Sequence, residues 1–596
     1  MYKFAIYRGA REVGGNQIFL SSGDTNISLD FGVPMGSEYF QYGRGPKTWG
    51  HRMYIGELPK IDGLYRNGLV ESEGLRRTEE PFLKYVWLSH AHPDHKDGIP
   101  FLHKKTTLVT SERTYLDLQN TEKTNRTKVF SAYPLSLMPL FRPENQSYYG
   151  YAYVLDKIPT FSKRTGKKKR KGRFDFSKPI IGHVVTKKKD QEPIPPRPLI
   201  KSDRLEFGKS VLEAFPVDHN IDAQGAVIRT PDMTIVYTGD FREGPNSERF
   251  FSERVPKRPD LLIMEATTAG RLEKGQEKSL EINQVSEELV KRIKDYEFGG
   301  PLFIRMTEAD KTTLMQIERA AGRLGKMPLV SPELAYSLKQ TDSMYPGISE
   351  GIGVWQRESG ITLDEEFAEG FKKQVYKKFK DKVFSDQDIA KKEGEYIRII
   401  TKRQKDIEKF FDWRPTRGLF VDTTTEAWNE ETGIQFEKTE NFIRSFHLNF
   451  TRVHSSGHAD QSYSLQKIEQ IDPKMVMLIH VSEDEIPYNG RMVPICEYHG
   501  DRVKDLMGDR TIVVVPVRGA TYDLVPGGRP MVGMPISSEH LPDKIPEVPP
   551  TLPPPLPIAQ VVESIIEEKK VAQPKFAVKK LDKWQDSSEQ TEPEKV

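Results

Sequence analysis

The sequence predicts an α/β protein of stacked layers with a polar, unstructured tail, and three observations carry that expectation. Short apolar runs such as KYVWLSH, MTIVYTGDF and DLLIMEATT each close on a polar residue, as buried strands do where they meet a loop. Between about residues 275 and 450 strand-like runs alternate with amphipathic helical ones, which predicts a second α/β layer. From about residue 536 the chain turns to PPTLPPPLP and a polar end, with too little apolar content to order itself beyond a short helix at VVESIIEEKK.

Taken in order, KFAIYRG, NQIFLSS and TNISLDFG read as strands, and KYVWL as a central strand that is apolar on both faces. KDGIPFL and SERTYLDLQ read as helical, with TTLVT a short strand. From about 120 to 200 no steady period survives, which marks a surface excursion. Order returns with KSVLEAFPVDHN, GAVIRTP, MTIVYTGDF and DLLIMEATT, whose closing residues include His219, Asp240 and Glu265. SLEINQVSEELVKRIKDYEF reads as an amphipathic helix, PLFIRM as a strand, TLMQIERAAGRLGK as a helix ending at Gly325, and MPLVS as a strand. The charged stretch from about Glu365 to Phe411 reads as solvent-facing helices, and GLFVDTTT as the last strand of this layer. FTRVHSSGHADQ, MVMLIHVSEDE and TIVVVPVRG then return to strands.

Composition narrows the class. A chain of 596 residues exceeds one ordinary core, and 36% hydrophobic with 29% charged residues suits a globular protein with a wet surface. The single cysteine, Cys496, excludes an internal disulfide framework and a thiolate-rich zinc site, and points to a reducing, cytoplasmic setting. The opening MYKFAIYRGAREVGG reads as a first strand, not a leader, and no window approaches the ~20 apolar residues of a spanning helix. With a net charge of +3, bulk electrostatics do not announce a nucleic-acid binder. Charge is local instead: FSKRTGKKKRKGR, from Phe161 to Arg173, holds eight Lys or Arg and no acid. It reads either as a solvated loop or as a phosphate-binding arm, centred on Lys167, Lys168, Lys169, Arg170 and Lys171.

The chemistry concentrates in SHAHPDHKDG, Ser89 to Gly98, where His90, His92 and His95 fall within six positions around Asp94. Two imidazoles two residues apart on a tight loop can grip one ion, and Asp94 with His95 can face a second. Zinc accepts such nitrogen and carboxylate ligands and in catalytic sites keeps one position for water. His219 and Asp240 each close a strand, a suitable placement for further ligands.

HAHPDH, with Asp30 upstream in ISLDFG, His219 in VDHN and Asp240 in YTGDF, resembles the ordered motif set of the metallo-β-lactamase superfamily. VHSSGHA, with His454, Ser456, Gly457, His458 and Ala459, is similar to the His-x-Ser-Gly-His-Ala signature of the β-CASP nucleases, in particular the ribonuclease J family. GAREVGGNQ, the inserted α/β unit and His480 in MVMLIH also resemble that family, over about residues 1–120, 200–345 and 415–530. The resemblance implies a metallo-β-lactamase αββα sandwich at 1–270, with a basic surface insertion at about 120–200. A β-CASP domain at 271–450, a returning part of the sandwich at 451–535 and a mostly disordered tail at 536–596 complete it.

The resemblance also implies a site of two zinc ions, with manganese or magnesium as substitutes. His90, His92 and His219 would hold one ion and Asp94, His95 and His480 the other, with Asp240 bridging and Asp30 orienting the ligand loop. Asp94, Glu265 and His458 would be catalytic, with Glu265 holding His458 protonated as general acid. His454, Ser456 and Gly457 would hold a neighbouring phosphate. The implied activity is hydrolysis of single-stranded RNA from a 5′ end or internally, leaving 5′-phosphate and 3′-hydroxyl ends, in a cytoplasmic RNA-processing or decay enzyme. A homodimer and a protein partner for the tail are further expectations. A DNA-repair β-CASP nuclease is the alternative, against which His480 speaks, since those enzymes commonly carry a non-ligating residue there. A small-molecule hydrolase would not need the unit at 275–450, and an inactive scaffold would have lost ligands. One departure is Val481, which follows His480 where the family commonly has Gly.

Overall fold

The computed structural model describes residues 2–34, 52–53, 56–66, 70, 74–124, 198–271, 279–296, 299–308, 310–342, 345–356, 375–401, 404–424, 430–524 and 531–533. The chain divides into two units, Met1–Ser538 and Glu539–Val596, and every described residue lies in the first. The basic run at 161–173 and the proline-rich tail lie outside the described residues. The protein is a mixed α/β structure with several sheets.

Alternation along the strands explains how two of the sheets stack. The first sheet runs, in spatial order, Met531–Gly533, Thr521–Leu524, Tyr2–Arg8, Gln17–Ser22, Thr25–Phe31, Tyr85–Trp87, Thr107–Thr110 and Leu199–Lys201. Its pairing is antiparallel as far as Thr25–Phe31 and parallel beyond. The second runs Ile512–Val514, Met475–Ile479, Leu261–Glu265, Thr234–Tyr237, Ala223–Arg229, Ser210–Val217 and Arg204–Phe207. Phe4, Ile18, Leu29 and Trp87 of the first sheet meet Leu212, Ile228, Ile235, Ile263 and Met477 of the second in one buried core. The intervening residues point outward: Phe19, Val86 and Leu108 pack with Ile61, Leu64 and Leu118, whereas Val227, Leu262 and Val476 pack with Phe250, Ile468 and Val503. Period-two alternation on each strand thus gives both sheets a covered outer face.

The third sheet is parallel throughout, in the order Val383–Phe384, Gly353–Trp355, Met327–Val330, Tyr396–Thr401, Leu302–Met306, Leu419–Asp422 and Asn449–Arg452. Leu302 and Ile304 pack against helices Val285–Lys294 and Lys311–Arg323, while Phe303 packs to the other side with Phe410 and Ile443. Burial on both faces is the expected condition of a parallel sheet.

Three element assignments change. The stretch expected as solvent-facing helices contains Tyr396–Thr401, a fully buried strand at the middle of the third sheet. Arg398 disguises it in sequence, yet its guanidinium stacks 5.2 Å from the rings of both Phe303 and Trp413 and pairs with Glu393 at 2.9 Å. Leu419–Asp422 is not the last strand of its layer either, because Asn449–Arg452 pairs alongside it, so a boundary at 450 falls inside a strand. The helix expected over SLEINQVSEELVKRIKDYEF is confined to Val285–Lys294. Among the described residues no helix is long and apolar enough to cross a membrane.

Candidate metal centre

Strand ends converge on one place. His219 follows Ser210–Val217, Asp240 follows Thr234–Tyr237, Glu265 ends Leu261–Glu265 and His480 follows Met475–Ile479, all at the same edge of the second sheet. From the first sheet, Tyr85–Trp87 runs into His90 and His92, and the short helix Pro93–Lys96 presents Asp94 and His95. Asp30 sits where the pairing skips a residue, Gln17 opposing Phe31 and Ile18 opposing Leu29, so it bulges with φ 57°. His480 likewise has φ 53° and donates its N–H to Gly9 O at 2.7 Å. Two site residues held in the left-handed region signal a conformation enforced by the surrounding fold. Val481 then turns inward, fully buried among Ala266, Ile486 and Tyr498. At Gly32 any Cβ would lie 1.6 Å from Asp94 O, so the helix carrying Asp94 can approach only because that position has no side chain.

The candidate ligand atoms form three groups, of which two share Asp240 and the third joins Glu265, His458 and His480. His90, His92, His219 and Asp240 compose the first, and Asp94, His95, Asp240 and His480 the second; within each group the atoms lie within 4.8 Å of one another. Asp240 Oδ2 is 3.7 Å from His90 Nε2 and 3.9 Å from His219 Nε2, but also 3.2 Å from His95 Nε2 and 3.6 Å from His480 Nε2. His480 Nε2 lies 3.2 Å from Asp94 Oδ2.

Hydrogen bonds behind the rings set the tautomers. Asp30 accepts Ser89 N–H at 2.7 Å on Oδ1, and on Oδ2 it accepts Ser89 Oγ at 2.8 Å, His95 Nδ1 at 2.7 Å and Tyr237 Oη at 2.6 Å. Because Ser89 gives its hydroxyl proton to Asp30, its oxygen accepts from His90 Nδ1 at 2.9 Å. Thr267 gives its proton to Glu265 Oε2 at 2.6 Å and so accepts from His480 Nδ1 at 2.7 Å. His219 Nδ1 donates to Gly457 O. In all four imidazoles Nδ1 carries a proton and Nε2 faces the site.

That arrangement fits cations. His92 Nδ1 lies 3.0 Å from His90 Nε2 and 3.2 Å from His219 Nε2, and one proton on it cannot serve both lone pairs. Asp94 Oδ1 and Asp240 Oδ1 are buried with no hydrogen-bond partner among the described residues. An ion among each set would satisfy these atoms together, and a donor set of imidazoles and carboxylates without thiolate suits a divalent cation. The electrostatics separate the two groups. Burial holds His90 and His219 well below the ordinary histidine range and His92 down to about 4, with neighbouring imidazoles adding to the effect. Burial opposes charge at His95 and His480 too, but Asp240 and Asp94, joined at His95 by Asp30, outweigh it and raise both. Burial likewise opposes the charged form of Asp94, yet His95 and His480 bring it down to about 2.

Beside the two groups, His458 Nδ1 lies 3.1 Å from Glu265 Oε1 and 3.9 Å from Asp240 Oδ2. Glu265 also accepts Phe241 N–H at 3.3 Å and Thr267 N–H at 2.9 Å. Burial favours its neutral form, but His458 overrides it and keeps Glu265 below the usual carboxylate range. The pair expected from the sequence is therefore in contact. Ser456 Oγ accepts His458 N–H at 3.1 Å, and Gly457 leaves no room for a Cβ, which would meet Asn220 Nδ2 at 2.8 Å. His454 is buried nearby and lowered to about 3, first by burial and then by the cations Arg452, Arg271 and Arg242. Lys167, Lys168, Lys169, Arg170 and Lys171 lie outside the described residues.

Sequence reasoning missed the hydroxyl relays through Ser89, Tyr237 and Thr267. Ser89 and Thr267 offered the signal of adjacency, one residue before the histidine cluster and two after Glu265. It also missed a buried clamp next to the ligand loop. Lys311, on the first turn of its helix, bonds Asp117 at 2.7 Å and Asp222 at 2.8 Å, three residues beyond His219. Tyr345 donates its hydroxyl to the same Asp222.

No family model and no curated protein matches the chain. Among solved structures it is similar to one titled a protein of unknown function from Enterococcus faecalis V583, at 17% identity and a TM-score of 0.56, over 87% of this chain and 99% of that one. At that identity the likeness concerns the fold alone. The chain thus shares a mixed α/β fold with that protein, and on it carries buried His and Asp clusters able to hold metal ions.

Proposed function

We propose that this chain is a metal-dependent phosphodiesterase of the metallo-β-lactamase superfamily, a β-CASP ribonuclease similar to ribonuclease J that acts on single-stranded RNA. In this reading residues 1–270 and 451–535 compose the αββα sandwich and 271–450 the β-CASP domain, whose edge strand Asn449–Arg452 runs two residues past that boundary. The observation that carries the proposal is Asp240 Oδ2 between two ligand groups, with the His458–Glu265 pair 3.1 Å apart beside them. RNA is preferred to DNA on the likeness of VHSSGHA to the ribonuclease J signature.

His90, His92 and His219 would hold one zinc and Asp94, His95 and His480 the other, with Asp240 between them. Bound there, such ions polarise a phosphoryl oxygen and make hydroxide available near neutral pH. The residues supply the rest. Ser89, Thr267, Asp30 and Gly457 O keep each Nε2 deprotonated and aimed inward. His458, its Nδ1–H held by Glu265, has Nε2 left to give a proton to the departing 3′ oxygen, which keeps the electron pair of the broken P–O bond. Arg452 and Arg271 beside His454 make the surroundings favourable for a second phosphate. A cytoplasmic setting and a homodimer belong to the same reading.

The test uses one RNA labelled at its 5′ end, as monophosphate and as triphosphate, with zinc- or manganese-loaded protein and a His458→Ala control. Immediate release of labelled mononucleotide from the monophosphate form, with a lag for the triphosphate, establishes a 5′ exonuclease. Labelled internal fragments at equal rates establish an endonuclease. Cleavage of single-stranded DNA alone refutes the RNA assignment, and cleavage of neither refutes the nuclease.

A further inference from the structure

Arg242 stands two residues beyond Asp240, and the residue is nearly sealed from solvent at 3% exposure. A buried cation is costly unless it is paired and hydrogen-bonded, and although Nε has no hydrogen-bond partner among the described residues, both terminal nitrogens do. Here Nη1 donates to Ser456 O at 3.3 Å and Nη2 to Thr312 Oγ1 at 2.6 Å. Thr312 passes its own proton to Asp310 Oδ1 at 3.0 Å, the carboxylate that also caps helix Lys311–Arg323 by accepting Thr313 N–H at 2.9 Å. The cation is therefore paired through a hydroxyl with an acid of the inserted layer. On the other side it grips the peptide that precedes Gly457 and His458.

The backbone beside it is equally committed. Arg242 N–H donates to Asp218 O at 2.7 Å, next to His219, and Phe241 O accepts Ala459 N–H at 2.6 Å. The Ser456–Ala459 loop is thus pinned at one end by a main-chain bond and at the other by the Arg242 side chain. His458 lies between the two pins. We infer that Arg242 is a positioning residue: it ties the helix of the inserted layer to the Ser456–His458 loop, and so sets where His458 delivers its proton. This rests on the reading of His458 as general acid.

The experiment compares two phosphodiesters at saturating metal: RNA, whose alkoxide leaving group needs a proton, and bis(p-nitrophenyl) phosphate, whose aryloxide does not. Arg242→Gln is expected to lose about 30- to 300-fold in kcat on RNA, a partial loss set against the about 10²- to 10⁴-fold ascribed to general-acid catalysis. Its loss on the aryl ester should be at least about tenfold smaller. His458→Ala should show the same skew, and metal content should stay at the wild-type ratio. Thr312→Val, which keeps the arginine and cuts its tie to the helix, should show the skew at about 3- to 10-fold. It carries the test where Arg242→Gln does not fold. Arg242→Lys, which keeps the charge without the two-pronged fork, should fall between. Equal losses on both substrates, or undiminished RNA cleavage, overturn the positioning role while leaving the nuclease standing. Wild-type protein that cuts the aryl ester but no RNA overturns the parent reading instead.

Discussion

Replacing Asp30 by Asn tests whether the hydrogen bonds behind the ligands control what the site holds. The substitution keeps the volume of a fully buried side chain. Oδ2 faces three donors and Oδ1 one, so the amide oxygen must occupy the Oδ2 place and the amide nitrogen is forced against Ser89 N–H. Leaving that donor unsatisfied costs about 1–3 kcal/mol. The remaining three bonds change from charge-assisted to neutral, at roughly 1 kcal/mol each. Burying an amide in place of a charge returns several kcal/mol of desolvation. About 2–3 kcal/mol of net loss remains, expressed where the ligands must be preorganised. That corresponds to metal affinity weaker by roughly 30- to 150-fold. Competition with a chromophoric chelator measures it, for zinc and manganese separately. Affinity within about twofold of wild type would refute the argument, because His95 and His90 would then be oriented without Asp30.

Lys311→Met should destabilise the protein by about 3–5 kcal/mol in a urea melt, since it strands Asp117 and Asp222 as buried charges. Burial raises Asp117 to about 6 against the pull of Lys311, so the folded state binds a proton that the unfolded chain releases at about 4. The Asp117 contribution is therefore present below about pH 4 and is lost as the pH rises through about 6. Asp117→Asn should flatten the stability profile across that window, and an unchanged slope contradicts the assignment. Removing metal with a chelator should lower the melting temperature, and re-addition should restore it by an amount that grows with free metal. His458→Ala should reduce RNA cleavage by about 10²- to 10⁴-fold at unchanged metal stoichiometry, checked by elemental analysis. Gly32→Ala should give little soluble protein, because its Cβ would overlap Asp94 O at 1.6 Å.

Much of the centre was legible because ligands need particular atoms at particular strand ends. HAHPDH, His219, Asp240 and His480 have few other side chains to be confused with, and the structure brings all of them together. What escaped was carried by common residues. Ser89, Thr267 and Tyr237 matter through where one proton points, which composition does not encode. Arg242 resembles any loop arginine until Ser456 and Thr312 are seen on either side of it. Tyr396–Thr401 was hidden because a strand in a parallel sheet can bury a cation when aromatic rings flank it, so Arg398 read as surface. The strands beside the histidine cluster had no such disguise.

The centre also has a history within each molecule's synthesis. Its first histidine, His90, precedes its last, His480, by 390 residues, and the first strand, Tyr2–Arg8, finds its outer neighbour only at Thr521–Leu524. At about 5–20 residues per second, a nascent chain spends roughly 20–80 s between emergence of those two ligands. The whole third sheet is made in that interval. For that time the amino-terminal sheet has an open edge, and the His and Asp clusters are incomplete. A ribosome stalled anywhere before residue 480 therefore holds a polypeptide in which the buried His and Asp clusters cannot be completed.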